Sequence, residues 1–241
     1  MKRAVLFLLA ALFILLVIEP NLGGQPMAKE DKVPVYNPDE PLQTNDDVET
    51  PRSRSKALIY IDPARGGQDV GYNTDNQQPE KDLLMQLAVT IGSALEKAGY
   101  RVEYSRWYDD VPACLNEDDC ETVRLEQAKA DQADYVLSLA MNQDSSLHRG
   151  FSIFTQPNNP QLDDLTQELA DQIQATSYSR FEGIDTDHYD SFAILKDTSI
   201  PSILLQVGYI TNPTDYSKLS DTKFQTRIAN AITQAFLNSV D

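Results

Sequence analysis

A single α/β domain, built on a mostly parallel twisted sheet with helices on both faces, is what this sequence predicts. Three observations carry the expectation. From residue 57 onward, short apolar runs rich in β-branched residues alternate with longer stretches of helical periodicity, the pattern of strand–helix–strand crossovers. The first run, Ala57 to Ile61, is stopped by Asp62-Pro63 and then Gly66-Gly67, so a loop leaves the C-terminal end of a buried strand, where open α/β sheets hold ligands. The 241 residues, 41% of them apolar, supply one core of ordinary size plus a tail, and a second full domain is not expected.

At the N-terminus, Met1-Lys2-Arg3 and the unbroken apolar run Ala4 to Ile18 form the basic and hydrophobic regions of a secretory signal. At about 1.5 Å per residue the run reaches about 22 Å, short of the roughly 30 Å hydrocarbon core. Leu22-Gly23-Gly24 is a mediocre cleavage site and no Ala-x-Ala follows. Residues 1–24 therefore stay open to two readings, a cleaved signal or an anchor in the inner membrane through residues 4–18. No cysteine lies near the end of the run, which removes a lipoprotein. Both readings place the protein outside the cytoplasm, in the periplasm or cell envelope. Residues 25–56 hold Pro, Asn, Asp, Glu, Gln and Ser without a sustained period and read as a disordered acidic spacer. The domain is expected over 57–241.

Within it, Leu84, Leu87, Ala88, Ile91 and Leu95 recur at helical spacing between Lys81 and Ala98, and Gly99 ends the helix. Tyr100 to Ser105 alternates as a second strand, Thr122 to Ala130 is a short helix, and Tyr135 to Ala140 is a strongly apolar strand. Phe151 to Thr155 reads as an edge strand, followed by a helix marked by Leu162, Leu165, Leu169 and Ile173. Ser177 to Asp190 is polar and reads as a loop. Phe192 to Leu195 and Ser202 to Gln206 read as the last strands, and Phe224, Ile228, Ala231, Ile232 and Ala235 describe the closing helix.

The formal charge of −17 excludes nucleic acid as a partner, since phosphates would be repelled, and suits solubility or a basic partner; a solvated acidic face explains it equally well. Cys114 and Cys120 flank Leu-Asn-Glu-Asp-Asp. In an exported chain, two cysteines so close can form a loop disulfide. A metal site there would lack histidines and be incomplete with two thiols.

The order of motifs resembles the type 3 family of zinc-dependent N-acetylmuramoyl-L-alanine amidases, whose first motif is a strand, then Asp-Pro-Gly-His-Gly-Gly, then Glu-Lys-Asp at the head of a helix. Here these are Asp62-Pro63-Ala64-Arg65-Gly66-Gly67 and Glu80-Lys81-Asp82. Arg106 after a strand, Ala133-Asp134 before Val136-Leu137-Ser138-Leu139, and Val207-Gly208-Tyr209-Ile210-Thr211-Asn212 continue the resemblance, which runs from about Ala57 to Val240. It implies a peptidoglycan-directed, exported domain.

The resemblance also implies a zinc site made of the first motif's histidine, the glutamate of Glu-Lys-Asp and a histidine at a later strand end, with a second glutamate as the base. On this sequence those positions are Arg65, Glu80, Ala140 and Gln206. Arginine has no lone pair to give a cation, alanine has no donor, and a glutamine amide cannot take up a proton as a base. One ligand of three is left, so no zinc or other cofactor is expected and hydrolysis is expected to be absent, with peptidoglycan binding or regulation of a hydrolase in its place. The alternative that the resemblance implies is a working zinc amidase, cleaving the N-acetylmuramoyl-L-alanine amide bond of peptidoglycan with displaced ligands. Arg65 is expected to sit where the metal would, paired with Glu80 in a near-neutral pocket. The partner is expected to be peptidoglycan or an envelope protein. Tyr72, Asn142, His188, Tyr189 and Tyr209 are candidates for the cleft rim, and His188 among its aspartates offers the one route to a rearranged metal site.

Overall fold

A computed structural model describes residues 56–240. The signal or anchor segment and the spacer up to residue 55 lie outside the described residues. Six strands form one sheet: β1 (Leu58–Pro63), β2 (Arg101–Tyr104), β3 (Tyr135–Asn142), β4 (Phe151–Thr155), β5 (Phe181–Asp185) and β6 (Ser202–Tyr209). Their spatial order is β2-β1-β3-β6-β4-β5. The β1–β2, β1–β3, β3–β6 and β4–β5 pairs are parallel, and β4 runs antiparallel to β6. The mostly parallel α/β sheet expected from the alternation of patterns is the observed architecture.

Strand alternation gives the sheet two apolar faces, both covered. Ile59, Ile61, Leu137, Leu139, Ile203 and Leu205 pack under α1 (Glu80–Lys97), α3 (Pro160–Ala175) and α6 (Thr222–Ser239). Tyr60, Val136 and Leu204 pack under α2 (Glu117–Ala130) and the short α4 (Ala193–Lys196). Leu84, Leu87, Ala88, Ile91 and Leu95 of α1 are each at most 1% exposed, and truncating one such leucine to alanine costs about 2–5 kcal/mol. The short α5 (Pro213–Leu219) is capped by Asn212, whose side chain accepts from the amides of Thr214 and Asp215. Among the described residues no helix is long and apolar enough to cross a membrane.

Four expectations are corrected. Phe151–Thr155 is not an edge strand: it lies between β6 and β5, and Phe181–Asp185, inside the segment read as a loop, forms the edge. Phe192–Leu195 is not a strand but the entry and body of α4, because four apolar residues fit a single buried helical turn as well as a strand. The Thr122 helix begins at Glu117, where Asn116 caps it by accepting from the Asp119 amide at 3.0 Å. Cys120 is therefore inside the first turns of α2, and it is bonded to Cys114 across a Cα–Cα distance of 5.0 Å.

Candidate functional site

The C-terminal ends of β1, β3 and β6 bring the four motif positions together. The Ala64 amide donates to the Leu139 carbonyl at 2.9 Å, which sets the Arg65 loop beside Ala140. Ala140 pairs in register with Gln206. Glu80 opens α1 and is 2% exposed. It is held there by its own amide, which donates to Tyr72 O, and by the Lys81 amide, which donates to Val70 O. Gly71 (φ +64°) is required at this approach, because a Cβ there would lie 2.5 Å from Glu80 Oε2.

Arg65 adopts φ +67°, a left-handed backbone that costs a residue with a Cβ about 1–2 kcal/mol. That strain aims the guanidinium into a cage of carboxylates. Nε lies 3.3 Å from Glu80 Oε1, and Nη1 lies 3.3 Å from Asp69 Oδ2 and 3.4 Å from Glu117 Oε2. Burial works to lower the Arg65 pKa, but the surrounding carboxylates outweigh it and hold the group above its ordinary value. For Asp69, burial is opposed by the Gly71 amide and by Arg65, and its pKa falls; for Glu117, burial prevails and its pKa rises. The pocket is not near neutral: Asp69 and Glu117, which sequence reasoning did not place, leave it acidic.

Behind Arg65 the charges continue inward with alternating sign. Glu117 Oε1 lies 3.4 Å from Arg124 Nη2, and Arg124 Nε lies 2.7 Å from Asp62 Oδ1, a contact short enough for an ion pair though off the line of a hydrogen bond. Asp62 is fully buried and its Oδ2 accepts from Ser138 Oγ at 2.7 Å. Glu121 accepts from the Ile194 amide at 3.0 Å, and burial pushes its carboxyl up to about 7. Glu117, Glu121 and Arg124 recur at helical spacing on one face of α2, a signal that could have been read as a charged inner face.

The donor chemistry does not fit a zinc site of the kind the resemblance implies. Such a site needs three protein ligands from nitrogen, thiolate or carboxylate and an open position. Arg65 and Ala140 offer no lone pair, and both Glu80 oxygens are engaged, Oε1 by Arg65 and Oε2 by the Tyr72 amide at 2.9 Å. The Gln206 Oε1 atom accepts from Asn142 Nδ2 at 3.3 Å and from Ser152 Oγ at 3.2 Å. Among the described residues no group of three or more His, Cys, Asp or Glu side chains is arranged to hold a metal ion.

The rim candidates divide. Asn142 touches Gln206, Tyr72 supplies its amide to Glu80, and Tyr209 ends β6 with its hydroxyl donating to Glu182 at 2.9 Å. Tyr209 is 9% exposed and presents no free ring face at the rim; burial, then Glu182, pushes its hydroxyl up to about 12. His188 and Tyr189 are not at the cleft. They follow β5, and since β4 and β5 run opposite to β6, Asp185 pairs with Phe154, which pairs with Leu204, toward the far end of the sheet. His188 Nδ1 lies 2.8 Å from Asp185 and its side chain is exposed, so the rearranged metal site has no geometric support.

Comparison with known proteins places these observations in a family. The N-acetylmuramoyl-L-alanine amidase family model matches residues 59–238. The uncharacterized protein YqiI of Bacillus subtilis is 29% identical over 184 residues, covering 76% of this chain and 82% of that protein. The probable cell wall amidase LytH of Staphylococcus aureus is 27% identical over 199 residues, covering 78% of this chain; the chain spans only 62% of that protein's length. The N-acetylmuramoyl-L-alanine amidase from Clostridium difficile 630 superposes with a TM-score of 0.66 at 25% identity, over 76% of this chain and 96% of that one. The chain belongs to the N-acetylmuramoyl-L-alanine amidase family.

Proposed function

We propose that this protein is an exported, cell-wall-directed member of its family that does not hydrolyse amide bonds and acts instead by binding peptidoglycan or by regulating a hydrolase. The observation that carries the reading is the Arg65–Glu80 contact at 3.3 Å. A guanidinium stands in the position the resemblance assigns to a metal-binding histidine and occupies the one carboxylate that survives. A metal-bound hydroxide needs a cation with an open coordination position, and the base position holds Gln206, an amide that cannot take up a proton. The kinship with a probable cell wall amidase supports the cell wall as the place of action, and the N-terminal segment Met1 to Ile18 supports export, whether it is cleaved or kept as an anchor.

Purified full-length protein incubated with insoluble peptidoglycan sacculi tests both halves. The protein is expected to sediment with the sacculi, to carry no stoichiometric metal by mass spectrometry, and to release no stem peptides with or without a chelator. Chelator-sensitive release of stem peptides would overturn the reading and restore the zinc-amidase alternative. If the protein stays in the supernatant, the binding half fails; regulation is then judged by whether it changes the rate of an active amidase added to the same sacculi.

A further inference from the structure

Past the end of β2, the turn Trp107–Asp110 closes on itself through paired backbone hydrogen bonds between its two ends. It carries the protein's single tryptophan, with Trp107 52% exposed. Tyr104 and Tyr108 hold the indole edge-to-face, with centroids 5.6 and 5.4 Å away. Beside it lies a cavity of about 420 Å³ lined by Glu103, Ser105, Arg106, Trp107, Asp110 and Gln127, a volume in the range of small-ligand pockets. Glu103 pairs with Tyr60, whose hydroxyl reaches Gln127 of α2. Glu103 and Ser105 therefore face the α2 side of the sheet. Ser105 is 5% exposed, with its hydroxyl buried behind the cavity wall, so the exposed Glu103 and Asp110 supply the wall's accessible carboxylates.

We infer that this cavity is a saccharide subsite, with a pyranose ring stacked on Trp107 and its hydroxyls hydrogen-bonded by Glu103 and Asp110. The inference rests on the cell-wall reading above and names what part of the wall the protein holds. The charge of the wall excludes an anionic ligand. Glu103 and Asp110 disfavour an anion. The buried Arg106 guanidinium spends its donors on the carbonyls of Pro63, Ala64, Lys81 and Tyr108, so it does not make an anion site of the wall. A neutral, hydroxyl-rich ring with polarised C–H groups meets the negative face of an indole and the carboxylate acceptors together. The subsite also adjoins the Arg65 cleft. A Cβ at Gly66 would meet Val111 and Arg106 at 2.6 and 2.7 Å, so the loop that carries Arg65 packs directly on the cavity wall. An extended glycan could run from one to the other.

Because Trp107 is the only tryptophan beside eleven tyrosines, emission excited selectively from tryptophan in the full chain reports on this site alone. Titration with a soluble β-1,4-linked N-acetylglucosamine tetramer is expected to give a saturable blue shift, while lysine amide and glutamate at matched concentration leave the emission unmoved. Trp107→Ala is expected to lose at least threefold in sedimentation with sacculi at unchanged circular dichroism, and Trp107→Phe to recover part of it. An emission unmoved by the tetramer, an equal response to lysine amide, or a folded Trp107→Ala that sediments as the wild type does would overturn the subsite. In the last case wall binding itself stands, whereas a wild type that fails to sediment strikes the cell-wall reading and not the fluorescence result.

Discussion

Arg65→Ala is the most direct perturbation of the cleft. It leaves Glu80, whose side chain is 3% exposed, with one oxygen on the Tyr72 amide and the other without its cation. At 3.3 Å the attraction is about 5 kcal/mol for an effective dielectric near 20, and the desolvation of both groups offsets most of that. Arg65 is 33% exposed in its side chain, so solvent screening reduces the remainder further. The expected loss for Arg65→Ala is about 2 kcal/mol, and alanine gains nothing back from the backbone because it too is strained at φ +67°. In a domain of this size that lowers Tm by about 4–8 °C. Glu80→Gln keeps an acceptor for the Tyr72 amide, so a double-mutant cycle of the two substitutions isolates the charge pair, with an expected coupling of about 1–2 kcal/mol. Urea and thermal unfolding of the four proteins measure it. A cycle additive to within about 0.3 kcal/mol would refute the reasoning, since the two groups would then not hold one another.

Deeper in the same network, Arg124→Ala strands Asp62, which is fully buried, and is expected to cost about 3–5 kcal/mol in urea unfolding; a loss below 1 kcal/mol would mean that the short Arg124–Asp62 contact is energetically empty. Burial lifts the Glu121 carboxyl from 4.5 to about 7, so the folded state keeps a proton that the unfolded state releases between those values. Stability from this group is full below about pH 4.5 and is lost as pH rises through 7, by up to about 3 kcal/mol. Glu121→Gln retains the Ile194 acceptor and should flatten the stability–pH curve in that window; parallel curves for the two proteins would contradict the buried-carboxyl account. Replacing Cys114 and Cys120 by serine opens a loop with a sequence separation of 6 and should cost about 2 kcal/mol. Reduction of the wild type should produce the same fall in Tm, and a Tm indifferent to reductant would contradict it.

Most of the scaffold was legible because its elements are long and strongly patterned. The α1 leucines and isoleucine recur at 3.6-residue spacing, and β1, β3 and β6 are continuous apolar runs of the kind buried on both faces. What escaped was short or compositionally disguised. Phe181-Glu182-Gly183-Ile184-Asp185 carries a glycine and two acids, because an edge strand need bury only one side. The α5 helix has its signature in Asn212-Pro213, a cap followed by proline at the first helical position, but spans only two turns. The site was legible only as far as motif positions in sequence could carry it. Asp69 meets Arg65 through the local turn of one loop and Glu117 only through folding, and the reversal of β4 and β5 that removes His188 from the cleft is a matter of topology that no local pattern records.

The row of alternating charges from Glu80 through Arg65, Glu117 and Arg124 to Asp62 governs how readily the cleft tolerates change as well as how stable it is. A histidine introduced at position 65 would supply one ligand and at the same time deprive Glu80, Asp69 and Glu117 of their shared cation. That single change would leave three carboxylates facing one another without a common counter-charge, so the cleft is tied to its arginine by more than the one contact with Glu80.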